Sequence, residues 1–459
     1  MKQIFSLLIL VFVGYPVGLI AQQIQYDNVV YQPFIRSVQT IQNGANQNIP
    51  ILRLRSSDYL VLQFDDLMDD GKDIFYKVIH CDRNWKPTNI MEIEYLEGFN
   101  DEPIRKFDFS INTMVPYVHY ALRLPNRDTQ FKISGNYILY IYTKKNGDVP
   151  LVTRRFVVAE SFLNVGARFS FPNDVENIRF KQQLDLSVNM LKTVLQNPMR
   201  DVSISVIQNG NWDLGYLNVE PTIFDRITNS LNFGFISPFS FWGLQEFRFF
   251  DTRSVLFRGL NVANVTRTAQ DVQVVLKPDR SRYGRTYGFY FDFNGNYFVD
   301  NFDFPSLTRA SPQVSEADLL TVAPNQIFRD DFASRNFETN EKDLVSDYVF
   351  VEFNYEVASP YLGDMYVYGA LSDWKLDQNF KMEYDYKTSM YRLNVELKQG
   401  YYNYLYALKK EDGTIDFLTT EGSWMETDNE YSVIVYLSEP ASRYDRVAFT
   451  LRTNSAPPR

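Results

Sequence analysis

VSISVIQNGNW at residues 202–212 sets Val202, Ile204 and Val206 on one face of an extended chain and Ser203 and Ser205 on the other, then turns at Asn209 and Gly210. Period-two alternation ending in Asn-Gly reads as a half-buried strand entering a hairpin, because the tight hairpin turn needs positive φ at both central residues. The same grammar fills NYILYIYTKKNGDVPLVTRRFVVAE at 136–160 around Asn146 and Gly147. It recurs in FYFDFNGNYFV at 289–299 around Asn294 and Gly295, and in LYALKKEDGTIDFL at 405–418 around Asp412 and Gly413. EYSVIVYL at 430–437 is apolar on both faces, which marks a central strand. Helical periodicity is confined to NIMEIEYLEGF from Asn89 and EADLLTVA from Glu316, neither longer than about three turns.

Short strands at this spacing, separated by Gly, Asn and Pro, predict an all-β chain of tandem immunoglobulin-like β-sandwich modules. The expected modules span 22–160, 161–299 and 346–453. Residues 300–345, polar and without alternation, read as a linker or long excursion, and 454–459 as a frayed tail. Aromatics make up 16% of the chain, with 37 Phe and 31 Tyr, and 45% of residues are hydrophobic, a composition far from disorder. A formal net charge of −10 argues against nucleic acid as a partner, since phosphate binding needs a basic face.

Lys2, the apolar run at 4–13 and the small Ala21 before Gln22 read as a secretory signal peptide at 1–21, although Leu19 is large for the position three before the cut. The run is too short for a membrane span, and no cysteine follows it to accept a lipid. The expected mature protein is exported and soluble. Cys81 is the only cysteine, so stability must come from buried apolar surface rather than an intrachain disulfide.

Both histidines lie near that cysteine, in YKVIHCDRNWKP at 76–87 and NTMVPYVHYALRLPN at 112–126. His80, Cys81 and Asp82 are all potential metal ligands, but successive strand side chains point to opposite faces, so Cys81 cannot share a site with both neighbours. A metal site or a Cys-His pair would need His119 and further groups brought in by the fold. The reading favoured by geometry has His80 and His119 bonding backbone groups at strand ends. Asp65, Asp66, Asp69, Asp70 and Asp73 in LQFDDLMDDGKD read as an acidic turn and not as a catalytic carboxylate pair. No GxSxG, HExxH, Walker or GxGxxG motif occurs. No catalytic residue, metal ligand or cofactor site is expected.

Residues 364–408 resemble the early-set immunoglobulin-like modules that bind starch or glycogen, with Gly369, Trp374, Gly400, Tyr401 and Tyr404 at matching places. That resemblance makes glycan binding by Trp374 and Phe417 an alternative function, because a pyranose stacks its apolar face on a ring. Trp424 in EGSWMETDNEY is either a corner packing residue or a contact surface.

Taken together, YKVIHCDRNWKP, EYLEGFND at 94–101, NTMVPYVHYALRLPN, SGNYILYIY at 134–142, TRRFVV at 153–158, QNGNW at 208–212, QEFRFFDTRS at 245–254 and EGSWMETDNEYSVIVY at 421–436 resemble the plug protein family of the Bacteroidetes type IX secretion system. The sequence departs from that pattern at Asn211 and in the long 300–345 segment. The resemblance implies a non-enzymatic periplasmic protein, one copy docked on the inner mouth of the giant outer-membrane translocon barrel, closing the channel when no substrate-carrying partner is engaged. Trp85, Trp212, Phe247, Arg248, Phe249 and Phe250 are the expected partner contacts, with core and corner packing as the alternative for each.

Overall fold

Strand Leu60–Asp66 is buried along its whole length, and so is Gly135–Thr143, which places both in the interior of sheets covered on their two faces. The computed structural model describes residues 24–47, 49–68, 71, 73–144, 148–190, 193–234, 237–304 and 341–455. The expected signal peptide, Asp69, Asp70, the Asn146–Gly147 turn, the helix expected from Glu316, residues 305–340 of the expected linker and the end of the tail lie outside them.

In the first sandwich, Ile74–Cys81, Gly135–Thr143 and Val149–Ala159 face a sheet of Ile35–Gln42, Leu60–Asp66, Val118–Leu124 and Phe107–Phe109. Phe64, Tyr76, Val78, Tyr120, Leu139 and Phe156 fill the space between. In the middle sandwich, Asn164–Ser170 and Lys181–Asn189 face Val202–Gln208, Glu430–Leu437 and Arg446–Asn454. The third sets Arg248–Asp251, Tyr297–Val299, Asp364–Tyr368 and Gly400–Lys409 against Val262–Arg267, Val272–Leu276, Tyr348–Glu356 and Met390–Lys398.

Sandwiches are therefore what form, but their chain limits differ from those expected at 299 and 346. Residues 248–299 belong to the third sandwich, and the strands at 430–454 leave it to complete the middle one, with Ser205 opposite Ile434 and Val206 opposite Val433. Alternation reports that a strand has a buried face without saying which sheet supplies the cover. Glu430–Leu437 does lie centrally, between Val202–Gln208 and Arg446–Asn454.

Smaller differences have local causes. The NIMEIEYLEGF helix closes after one turn, Glu92–Tyr95, and continues as strand Leu96–Gly98, which pairs with Thr129–Phe131. Asn294 and Gly295 do take positive φ, yet no hairpin forms there, because Tyr297–Val299 pairs with Gly400–Lys409 instead. Trp374 and Phe247 crowd Gly295 so closely that a Cβ would fall 2.3 Å from Trp374 Cη2. Asp65 and Asp66 are strand residues with almost no exposure, not part of an acidic turn.

Two kinds of contact join the sandwiches. The outer faces of the first and middle ones meet through Cys81, Ile138, Val157, Ile434, Tyr436 and Val447, so that Ser203 and Ser205 are buried as well and the strand at 202–208 is covered on both sides. Arg83 donates to Ser203 Oγ at 3.0 Å across this seam, and Tyr436 Oη donates to Asn136 Oδ1 at 3.0 Å. The first and third meet at Asp65. Its Oδ1 lies 2.6 Å from His119 Nδ1, while Oδ2 accepts from Tyr348 Oη at 2.7 Å and from Lys398 Nζ at 2.5 Å. Burial raises the Asp65 carboxyl, but Lys398 and His119 outweigh it and hold it below the usual range. Lys398 also sits 4.0 Å above the Tyr117 ring.

Removing one member of this pair strands the other charge in the interior. Lys398→Ala should cost about 3–5 kcal/mol. Lys398→Met combined with Asp65→Leu should recover much of that loss, as read by urea denaturation. Equal stability of Lys398→Ala and the parent chain would show that water reaches the site.

Candidate interaction surface

The first sandwich ends in an exposed apolar edge. Asp66, Val118 and Phe109 stand side by side in register, so the loop after Asp66, the terminal strand Phe107–Phe109 and the loop leading to Val118 gather at one end. Met68, Phe107, Phe109, Ile111 and Met114 are all exposed there. Phe107 and Phe109 contact edge to face at 6.2 Å, and Phe107 leans on Tyr120 in the core. Asp347 anchors the flank by accepting from Met114 N and Val115 N at 2.6 and 3.1 Å. Among the described residues no further strand lies beside this apolar sheet edge, and such an edge is a liability unless a partner covers it. FDF followed by Ile111 carries the alternation that could have flagged this edge, but nothing in it says the face is exposed.

The expected partner contacts lie elsewhere, and five of the six are buried. Trp85 and Trp212 pack edge to face at 5.1 Å between the first and middle sandwiches, with the Arg155 guanidinium 4.6 Å over Trp85. Phe249 is half-buried and stacks on Tyr401; Phe250 stacks on Tyr402 at 5.0 Å. Phe247 meets Trp374 at 5.9 Å. Arg248 ties Glu421 at 3.1 Å, Asp279 at 2.7 Å and the Arg280 carbonyl at 2.8 Å inside the third sandwich. These aromatics fill core and seam positions, which composition alone does not separate from surface anchors.

Trp374 and Phe417 converge on Tyr368 at 5.7 and 5.3 Å and are both buried, so neither offers a ring face to a sugar. Trp424 packs against Phe180 at 6.0 Å and donates its backbone N–H to Leu244 O, as a corner residue does.

His80 fits its expected role in part, bonding the Ser134 carbonyl at 3.4 Å and Thr88 Oγ1 at 2.9 Å. A Cβ at Gly135 would fall 2.3 Å from His80 Nε2, which requires glycine there. His119 bonds the Asp65 carboxylate instead of a backbone group. Burial pushes the Cys81 thiol up to about 12, far from a reactive thiolate. Among the described residues no group of three or more His, Cys, Asp or Glu is placed to hold a metal ion, and no helix is long and apolar enough to cross a membrane.

Fold and surface together define a class: a multi-sandwich β protein with its reactive side chains buried and an apolar edge presented outward. Residues 35–160, the first sandwich, match the family described as type 9 secretion system plug protein, 1st domain. A crystal structure of a hypothetical protein from Parabacteroides merdae ATCC 43184 is similar over 94% of this chain and 100% of its own, at 27% identity and a TM-score of 0.82. No curated protein matches the sequence.

Burial lowers the His80 pKa to about 4. Between its ordinary value near 6.5 and that figure the unfolded chain takes up a proton the folded one does not, so stability falls on acidification. Relative to His80→Gln, the parent chain should lose about 3 kcal/mol between pH 6.5 and 4 in urea titrations. A stability difference independent of pH would mean His80 is charged in the fold.

Proposed function

We propose that the protein is a non-enzymatic periplasmic plug that docks on the inner mouth of the type IX translocon barrel, one copy per barrel, and seals the channel when no substrate-carrying partner is engaged. The match of residues 35–160 to the plug first domain carries this reading. The physical demands of the role agree with it. A pore wide enough for folded proteins leaks unless a rigid body of large surface covers it. Three sandwiches joined by a two-sided apolar seam and the Asp65 ion pair meet that demand.

Docking would bury on the order of 1,000 Å² or more. The Phe107 and Phe109 edge is the surface we assign to it, since it lies in the matched domain and is exposed.

Tagged protein isolated from gently solubilised outer membranes should bring down a giant barrel protein in near-equal amount. Phe107→Lys with Phe109→Lys should reduce that recovery about tenfold or more while leaving urea stability within about 1 kcal/mol. Recovery of the protein alone would sink the plug reading. Full recovery with the double variant would move the docking surface elsewhere.

A further inference from the structure

Strand Phe107–Phe109 ends one side of a sheet in the first sandwich and, among the described residues, pairs only with Val118–Leu124. Ala121 N donates to the Lys106 carbonyl at 3.1 Å and Ser110 N to the Tyr117 carbonyl at 2.9 Å, with an unbroken register between them. In an antiparallel ladder the residues that exchange hydrogen bonds alternate with those that do not. Lys106, Asp108 and Ser110 therefore turn their backbone groups inward, and Phe107 and Phe109 turn theirs outward. Those two N–H and two C=O groups have no partner among the described residues. Ile111, the next residue of the outward row, donates to the Leu344 carbonyl at 2.8 Å, so the row runs into the seam between the first and third sandwiches.

The rings and the backbone of this edge make different demands on whatever covers it. Phe107 and Phe109 are 42% and 55% exposed, and an apolar surface of any shape would shelter their rings. Such a surface would also strip water from four backbone groups and return no hydrogen bond, which costs free energy at each of them. An extended chain laid alongside meets both demands, since it presents N–H and C=O at the two-residue repeat of about 7 Å that separates Phe107 from Phe109. Its side chains alternate in the same way. Those on the side of Phe107 and Phe109 meet rings and must be apolar. Those on the other side stand beside Lys106 and the exposed Asp108 and must be polar, with a cation favoured next to Asp108.

We propose that the docking partner adds one extended strand to the Phe107–Phe109 edge, paired through the backbone and carrying apolar and polar residues in alternation. Strand addition rests on the reading of this edge as the docking surface, and it requires backbone pairing where docking alone needs only apolar contact.

Amide hydrogen exchange on the full-length protein, alone and in the complex recovered with the barrel, reads the pairing directly. Phe107 and Phe109 should exchange fast in the free protein and about a hundredfold or more slower in the complex, while the inward Asp108 amide changes less. Proline at an outward position removes one donor to the partner and none to Val118–Leu124. Recovery of the barrel with Phe109→Pro should therefore fall about tenfold below that with Phe109→Leu, which keeps the N–H. Phe107→Pro against Phe107→Leu repeats the comparison should the first variant not fold. A complex in which both amides still exchange fast, or equal recovery with the proline and leucine variants, would overturn strand addition and leave the docking reading standing. Protection already present in the free protein would give the edge to the chain's own residues, and protection that rises with protein concentration alone would give it to a second copy; either result overturns the proposal. A parent chain that brings down no barrel would remove the docking reading and strand addition with it.

Discussion

One carboxylate without solvent exposure, Asp65, holds the first and third sandwiches in a fixed relation. It is reached from one neighbouring strand of its own sheet and two of the other: His119 stands opposite it in register, and Tyr348 stands opposite Lys398. An ion pair in this setting gains little over an apolar pair of similar volume, because the desolvation of both charges offsets their attraction. What it supplies is geometry. A sliding or hinging motion that separated Lys398 from Asp65 would leave two bare charges in the interior, so the seam tolerates one docking arrangement and penalises the rest.

The seam between the first and middle sandwiches works by the opposite means. Ile138 and Val157 on one side meet Ile434 and Val447 on the other, non-directional contacts that resist separation without specifying position. Trp85, Trp212 and Arg155 add the directional element at its rim. Arg154 with Asp373, a pair of hydrogen bonds at 3.0 Å, fixes the first sandwich to the third again at a second point. Shape is thereby set by a few polar nodes distributed over a broad apolar contact.

The strands at 202–208, 430–437 and 405–409 were legible because alternation and turn chemistry act locally, within reach of a sequence window. Sheet partnership was not. Asp65 looked like part of an acidic turn because its partners lie 283 and 333 residues away in the chain. Trp85 and Arg248 looked like surface anchors for a related reason: the same side chains suit an interface between proteins and a seam within one. The exposed Phe107 edge escaped notice because an alternating FDF stretch is written identically whether the outer side meets water or another sheet.

The return of residues 430–454 to the middle sandwich has a consequence for how the chain reaches its final state. The middle sheet cannot close until the last strands are available, and those strands also cover the outer face of the first sandwich. Contacts of such long sequence separation are made late, after loop-closure entropy has been overcome. The C-terminal strands therefore serve as a completion check. A chain cut short of them leaves two apolar sheet faces uncovered at once, and such a product is marked for aggregation or proteolysis and not for assembly.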